Sequence, residues 1–197
     1  MSKITTVYCD LDSVLVDFER GLLKYANKLL NAVAKEPGHS LEKTAKKAVI
    51  ELGGAWPSSV PEICAPHIVR RSAKFPKVRD FCFRAIENNI KFWSRLPWMS
   101  DGKDLWAFLR TIRQEVIILT APLDAMSHVG KRSWVRKHLG AHVQVIVKMD
   151  KSVYATPTCL LIDDSDFQVD PFIGDGGQAI LHTDSVSTIR KLKQVLA

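Results

Sequence analysis

Three short apolar runs, each closing on a residue that can hold an anion or a cation, set the strongest limit on what this chain can fold into. Ile4 to Cys9 leads into Asp10 and, one residue further, Asp12. Val116 to Leu119 leads into Thr120, and Cys159 to Ile162 leads into the pair Asp163 and Asp164. Continuous apolar runs of this length suit strands buried on both faces, as in parallel sheets. Ligands of open α/β sheets gather at the carboxyl ends of the strands, which would bring these side chains to one crevice. Carboxylates placed like Asp10 and Asp12 repel unless a cation or a shared proton relieves them. An Asp-rich turn closing a strand is the other reading of that pair taken alone.

Between the first two runs the chain reads as helical. Phe18, Leu22, Leu23, Tyr25, Ala26, Leu29, Leu30 and Val33 recur at helical spacing, and Pro37-Gly38-His39 breaks the pattern. Ser40 is the expected N-cap of a second helix running to about Leu52, ended by Gly53-Gly54. Trp56-Pro57, Val60-Pro61 and Ala65-Pro66 make the next stretch irregular. Arg70, Arg71, Lys74, Lys77 and Arg79 then interleave with Phe75. This stretch reads either as a solvated helix face or as a groove for a nucleic-acid backbone. Phe81, Phe83, Ile86 and Ile90 return to helical spacing. Further helices are expected over Asp101–Arg113, Met126–Leu139 (stopped by Gly140) and Ser187–Leu196, with strands at Val143–Val147 and Ala179–Leu181. Strands alternating with helices predict a parallel α/β sheet.

Composition narrows the classes. Of 197 residues, 46% are hydrophobic and 25% charged, the balance of a globular chain. The net charge of +7 favours anionic partners, phosphorylated small molecules or nucleic acid, without choosing between them. Cys9, Cys64, Cys82 and Cys159 have no zinc spacing, and a reducing compartment suits them. The six histidines form no metal-spaced pair. There is no leader-like apolar core before Asp10 and no apolar span of about 18 residues, so a soluble, cytoplasmic protein without a membrane partner is expected. Self-association is left open.

Strand-to-Asp10-x-Asp12, strand-to-Thr120, Lys151, then strand-to-Asp163-Asp164, in this order, resembles the four-motif pattern of the haloacid dehalogenase superfamily. The resemblance implies a Rossmann-like core over 1–17 and 101–197, with a small helical cap over 18–100 that selects the substrate. Its chemistry suits the residues. A phosphate monoester resists attack because its oxygens are anionic, so a catalyst needs a cation, an in-line nucleophile and an acid. By resemblance Asp10 is the nucleophile, Asp12 the acid and base, and Thr120 and Lys151 hold the phosphate. Asp10, Asp12 (through its carbonyl), Asp163 and Asp164 surround Mg²⁺, with the direct ligand of the last pair left open. The superfamily usually has glycine after the second aspartate. Ser13 stands here, and the glycine-only turn geometries are closed to serine.

A finer resemblance covers nearly the whole chain. Asp10 to Phe18, Phe92-Trp93-Ser94-Arg95-Leu96-Pro97, Leu119-Thr120-Ala121-Pro122, Lys131 to Gly140 and Asp150-Lys151 look like the 5'(3')-deoxyribonucleotidase family. That family implies Mg²⁺-dependent hydrolysis of nucleoside monophosphates, with substrate contacts at Phe18, Thr120, Ala121 and Lys151. Phe18 would stack on the base, or else face the core. Two departures stand out: Ala121 replaces a frequent serine, and Ser165 a frequent arginine. A polynucleotide 3'-phosphatase, another small-molecule phosphatase, or a non-catalytic nucleotide-binding protein are the alternatives.

Overall fold

The parallel sheet anticipated from the apolar runs forms in the computed structural model, which describes residues 3–54 and 74–197. Its strands are β1 (Thr6–Cys9), β2 (Glu115–Thr120), β3 (Val145–Val147), β4 (Cys159–Asp163) and β5 (Gln178–Leu181), in the order β3-β2-β1-β4-β5. Every pairing is parallel. Cys9 is level with Ile118 on one side and Ile162 on the other, so β1 is the central strand and Asp10 follows at its carboxyl end.

Strand alternation sends side chains to two buried layers. Val7, Cys9, Ile118, Leu160 and Ile162 join the larger core, with Leu105, Leu109, Trp134, Val135 and Leu192 from the helices. Tyr8, Ile117, Leu119 and Leu161 face the other way, against Phe172 and Tyr154. A sheet covered on both faces has no reason to alternate polar with apolar residues, which is why its strands read as unbroken apolar runs.

The segment between β1 and β2 carries α1 (Phe18–Lys35), α2 (Glu42–Glu51), α3 (Pro76–Ile86) and the single turn α4 (Ile90–Trp93). Asp17 caps α1 by accepting the Arg20 N–H at 2.9 Å. Helix α2 begins one residue later than the Ser40 cap predicts, and Leu41 stands at its cap position without a side-chain bond. The spacing from Phe81 to Ile90 is split in two, because Asn88 turns left-handed at φ 56°. Helices α1, α2 and α3 pack on one another, whereas α4 packs on α6 (Ala125–His138).

The remaining helices are α5 (Gly102–Leu109), α7 (Asp166–Gly174) and α8 (Ser185–Val195). Helix α6 opens with a reciprocal cap in which Asp124 accepts from the Ser127 N–H and Ser127 Oγ accepts from the Asp124 N–H. Helix α7 was not anticipated from the sequence. Among the described residues no helix is long and apolar enough to cross a membrane, and Cys9, Cys82 and Cys159 are buried, Cys9 and Cys159 as free thiols. Trp56, Cys64, Arg70 and Arg71 lie outside the described residues.

Candidate active site

Parallel register brings the strand ends together. Asp10 and Asp163 stand at the carboxyl ends of neighbouring strands, Thr120 closes the strand on the other side of β1, and all three are buried. Lys151 enters from the turn before β4. It is 1% exposed, with Nζ 2.7 Å from Asp10 Oδ1 and 2.5 Å from Asp163 Oδ2. Burial alone would lower the pKa of this ammonium, but the Asp10 and Asp163 carboxylates outweigh that and hold it above the usual lysine range. Lys151 is thus charged, as its proposed role needs.

One lysine does not neutralise the carboxylates around it. Burial first, then the neighbouring Asp10, pushes Asp163 up to about 6. Burial followed by Asp10, Asp163 and Asp12 pushes Asp164 up to about 7. Oxygens of Asp10, Asp163 and Asp164 lie within 4.8 Å of one another. Several carboxylate oxygens at this spacing suit a hard divalent cation such as Mg²⁺. The donor set therefore fits Mg²⁺. Both oxygens of Asp163 are engaged, Oδ2 by Lys151 and Oδ1 by the Ser165 N–H at 3.0 Å. Asp164 accepts no hydrogen bond among the described residues, and its lone pairs are open to a cation.

The Asp12 carboxylate stands apart from that group. Its Oδ2 meets Lys131 Nζ at 2.6 Å, while its Oδ1 is buried without a hydrogen-bond partner. Burial raises the Asp12 pKa, Lys131 opposes the rise, and Asp10 adds to it. Held by Lys131, the Asp12 side chain lies outside the group of carboxylate oxygens that could share a metal ion.

Lys131 is the residue that the sequence did not single out. It is 1% exposed and also donates to Thr120 Oγ1 at 3.1 Å and to the Ala121 carbonyl at 2.5 Å. The available signal was its place on the buried stripe of α6, with Ser127, Gly130, Trp134 and Val135. Ala121 thus reaches the site through its carbonyl. Phe18 is not brought to the mouth. It is 6% exposed, stacked on Trp93 at 5.4 Å and 9°, with Phe83 and Phe92 at its edges, so the core-facing alternative is the one seen. Of the basic stretch, Arg79 lies over the Phe83 ring at 4.2 Å and Lys74 over Phe75 at 5.4 Å.

No protein-family model matches the chain, and no curated protein matches it in sequence. Solved structures do match. A hydrolase from Streptococcus pneumoniae superposes with a TM-score of 0.55 at 14% identity, covering 98% of this chain and 100% of that one. A haloacid dehalogenase-like family hydrolase from Xanthomonas campestris gives 0.53 at 11% identity, over 98% and 91%. A haloacid dehalogenase-superfamily hydrolase of subfamily IA from Geobacter sulfurreducens gives 0.51 at 12% identity, over 98% and 97%. At such identities the likeness is one of fold, and the fold is that of the haloacid dehalogenase-like hydrolases.

Proposed function

We propose that the protein is a Mg²⁺-dependent phosphomonoesterase that hydrolyses (deoxy)ribonucleoside 5'- or 3'-monophosphates to nucleoside and phosphate. The observation that carries this reading is the meeting of Asp10, Thr120, Lys151 and the Asp163-Asp164 pair at adjoining strand ends, with Lys151 ion-paired to Asp10 at 2.7 Å. An Asp10 carboxylate oxygen attacks phosphorus, and the bond to the leaving alcohol breaks as Asp12 gives that oxygen a proton. Water then attacks the aspartyl-phosphate. Asp12 takes a proton from the water, the bond from phosphorus to Asp10 breaks, and both carboxyl groups return to their starting states. Lys151 and Thr120 hold the phosphoryl oxygens. When bound by Asp10, Asp163 and Asp164, Mg²⁺ adds positive charge to the phosphoryl group.

The nucleoside part of the reading is supported by the motif resemblance, and the net charge of +7 suits the anionic phosphate only. Residues 18–100 act in it as the substrate-selecting cap on a core of 1–17 and 101–197. The test is phosphate release, with and without Mg²⁺, from nucleoside 5'- and 3'-monophosphates, sugar phosphates and a 3'-phosphorylated oligonucleotide. Mg²⁺-dependent release chiefly from mononucleotides is expected. The substitution Asp10→Asn is expected to bring turnover to background while leaving the circular dichroism of the protein unchanged. Turnover that survives it removes Asp10 as nucleophile.

The alternative, a polynucleotide 3'-phosphatase, is an outcome of the same test: release chiefly from the oligonucleotide, falling steeply with salt, would select it.

A further inference from the structure

We infer that Lys131 is a positioning residue of this site: it clamps Oδ2 of Asp12 and the loop after β2 to one point, leaving Asp12 Oδ1 as the oxygen that transfers the proton. The inference rests on the phosphatase reading above. An ammonium has three N–H donors, and those of Lys131 are spent on Asp12 Oδ2 at 2.6 Å, Thr120 Oγ1 at 3.1 Å and the Ala121 carbonyl at 2.5 Å. No donor remains for substrate, so Lys131 acts through its neighbours. Those neighbours belong to separate segments, the loop after β1 and the end of β2, and the lysine itself comes from α6. A single buried charge thereby sets the distance between the proton donor and the phosphate-facing hydroxyl.

The orientation of Asp12 follows from the same contacts. With Oδ2 held by Lys131, the other oxygen is buried and makes no hydrogen bond. A buried acceptor without a partner is costly, and it marks the atom left for the leaving oxygen and later for water.

The inserted helices hold the lysine in turn. The Trp93 ring of α4 covers Lys131 Nζ at 5.0 Å, within the range of a cation–π contact, and its own face is stacked on Phe18. A side chain at position 130 would end this approach, since a Cβ there would lie 2.4 Å from Trp93 Cβ. Lys131 is therefore packed between the catalytic carboxylate and an aromatic pair, with no freedom to swing toward solvent.

The test compares two esters on the same preparations of full-length protein with Mg²⁺. A nucleoside monophosphate leaves as an alkoxide and needs the proton from Asp12. A nitrophenyl phosphate leaves as a stabilised phenolate and does not. Misplacing a reacting group by about 1 Å costs on the order of 10²-fold. Lys131→Met is therefore expected to lower kcat for the nucleotide about 10²-fold and for the nitrophenyl ester less than about tenfold, with KM for the nucleotide little changed. The ratio between esters is independent of how much variant is folded. Should Lys131→Met yield no folded protein, Lys131→Arg serves: its fork cannot make three contacts from one atom, and the same skewed ratio is expected. Equal losses on both esters, or no loss on either, overturn the assignment. Wild-type protein that releases phosphate from neither ester overturns the phosphatase reading itself.

Discussion

Ser13 adopts a left-handed backbone, φ 59°, in the loop that follows Asp12. Its N–H is held by the Val16 carbonyl at 2.8 Å, and the loop is closed by bonds from the Leu15 and Val16 N–H groups to the Leu11 carbonyl. For a residue with a Cβ this conformation costs roughly 1–2 kcal/mol, and glycine is spared it. Ser13→Gly is therefore expected to stabilise the protein by about 1 kcal/mol, raising Tm by about 2–4 °C at this chain length. A lowered Tm in a thermal melt would count against strain at this position. The departure from glycine was visible in the sequence, whereas the left-handed backbone that Ser13 nevertheless adopts was not. Lys131 was not legible in the same way. A lysine on a helix reads as solvent-facing, since burial of an unpaired ammonium is costly, and its partners Asp12 and Thr120 are 119 and 11 residues away. Phe18 had two readings because an aromatic at the first position of an amphipathic helix serves a core as well as a ligand.

Helices α4 and α6 cross where Gly130 presents no side chain. Besides the Trp93 contact, an added Cβ would sit 3.0 Å from the Ile90 carbonyl oxygen, which is backbone and cannot rotate away. Gly130→Ala is expected to destabilise the protein by about 1–3 kcal/mol, the usual cost of overpacking, as measured by urea denaturation. An unchanged midpoint would show that α4 shifts freely. The elements themselves were legible in proportion to their apolar continuity. Strands β1, β2 and β4 were read from unbroken runs, and α6 was placed within about a residue at each end. Helix α7 escaped for identifiable reasons. Pro171 lies inside it, a residue that normally argues against a helix interior, and Phe167 is 90% exposed, so it leaves no amphipathic stripe. Helix α2 starts late because no side chain at its N-terminus supplies a cap bond, and a capping pattern alone gives a location only to within a few residues.

The whole molecule concentrates negative charge where its sheet is most buried, and its stability should report this. Asp163 and Asp164 hold protons up to about 6 and about 7, against roughly 3.9 in an unfolded chain. Between those values the native state binds more protons than the unfolded state, so stability is lost as pH rises through this window. Without divalent cation, Tm is expected to fall between about pH 4 and pH 7 from these two groups. Mg²⁺ stabilises only the state that binds it, and it competes with protons for the same oxygens. It is expected to raise Tm clearly at pH 8 and far less at pH 5, in calorimetry of dialysed protein. An equal rise at both would place the cation elsewhere. The topology has a further consequence, for synthesis. Strand β1 pairs with β4 across 153 residues of chain, and its other partner, β2, is 109 residues away. At about 5–20 residues per second, the central strand waits on the order of 10 s on the ribosome for its second neighbour, with one edge unpaired. The helices between β1 and β2 are available to shield it meanwhile, which gives the insertion a use to the nascent chain before any substrate arrives.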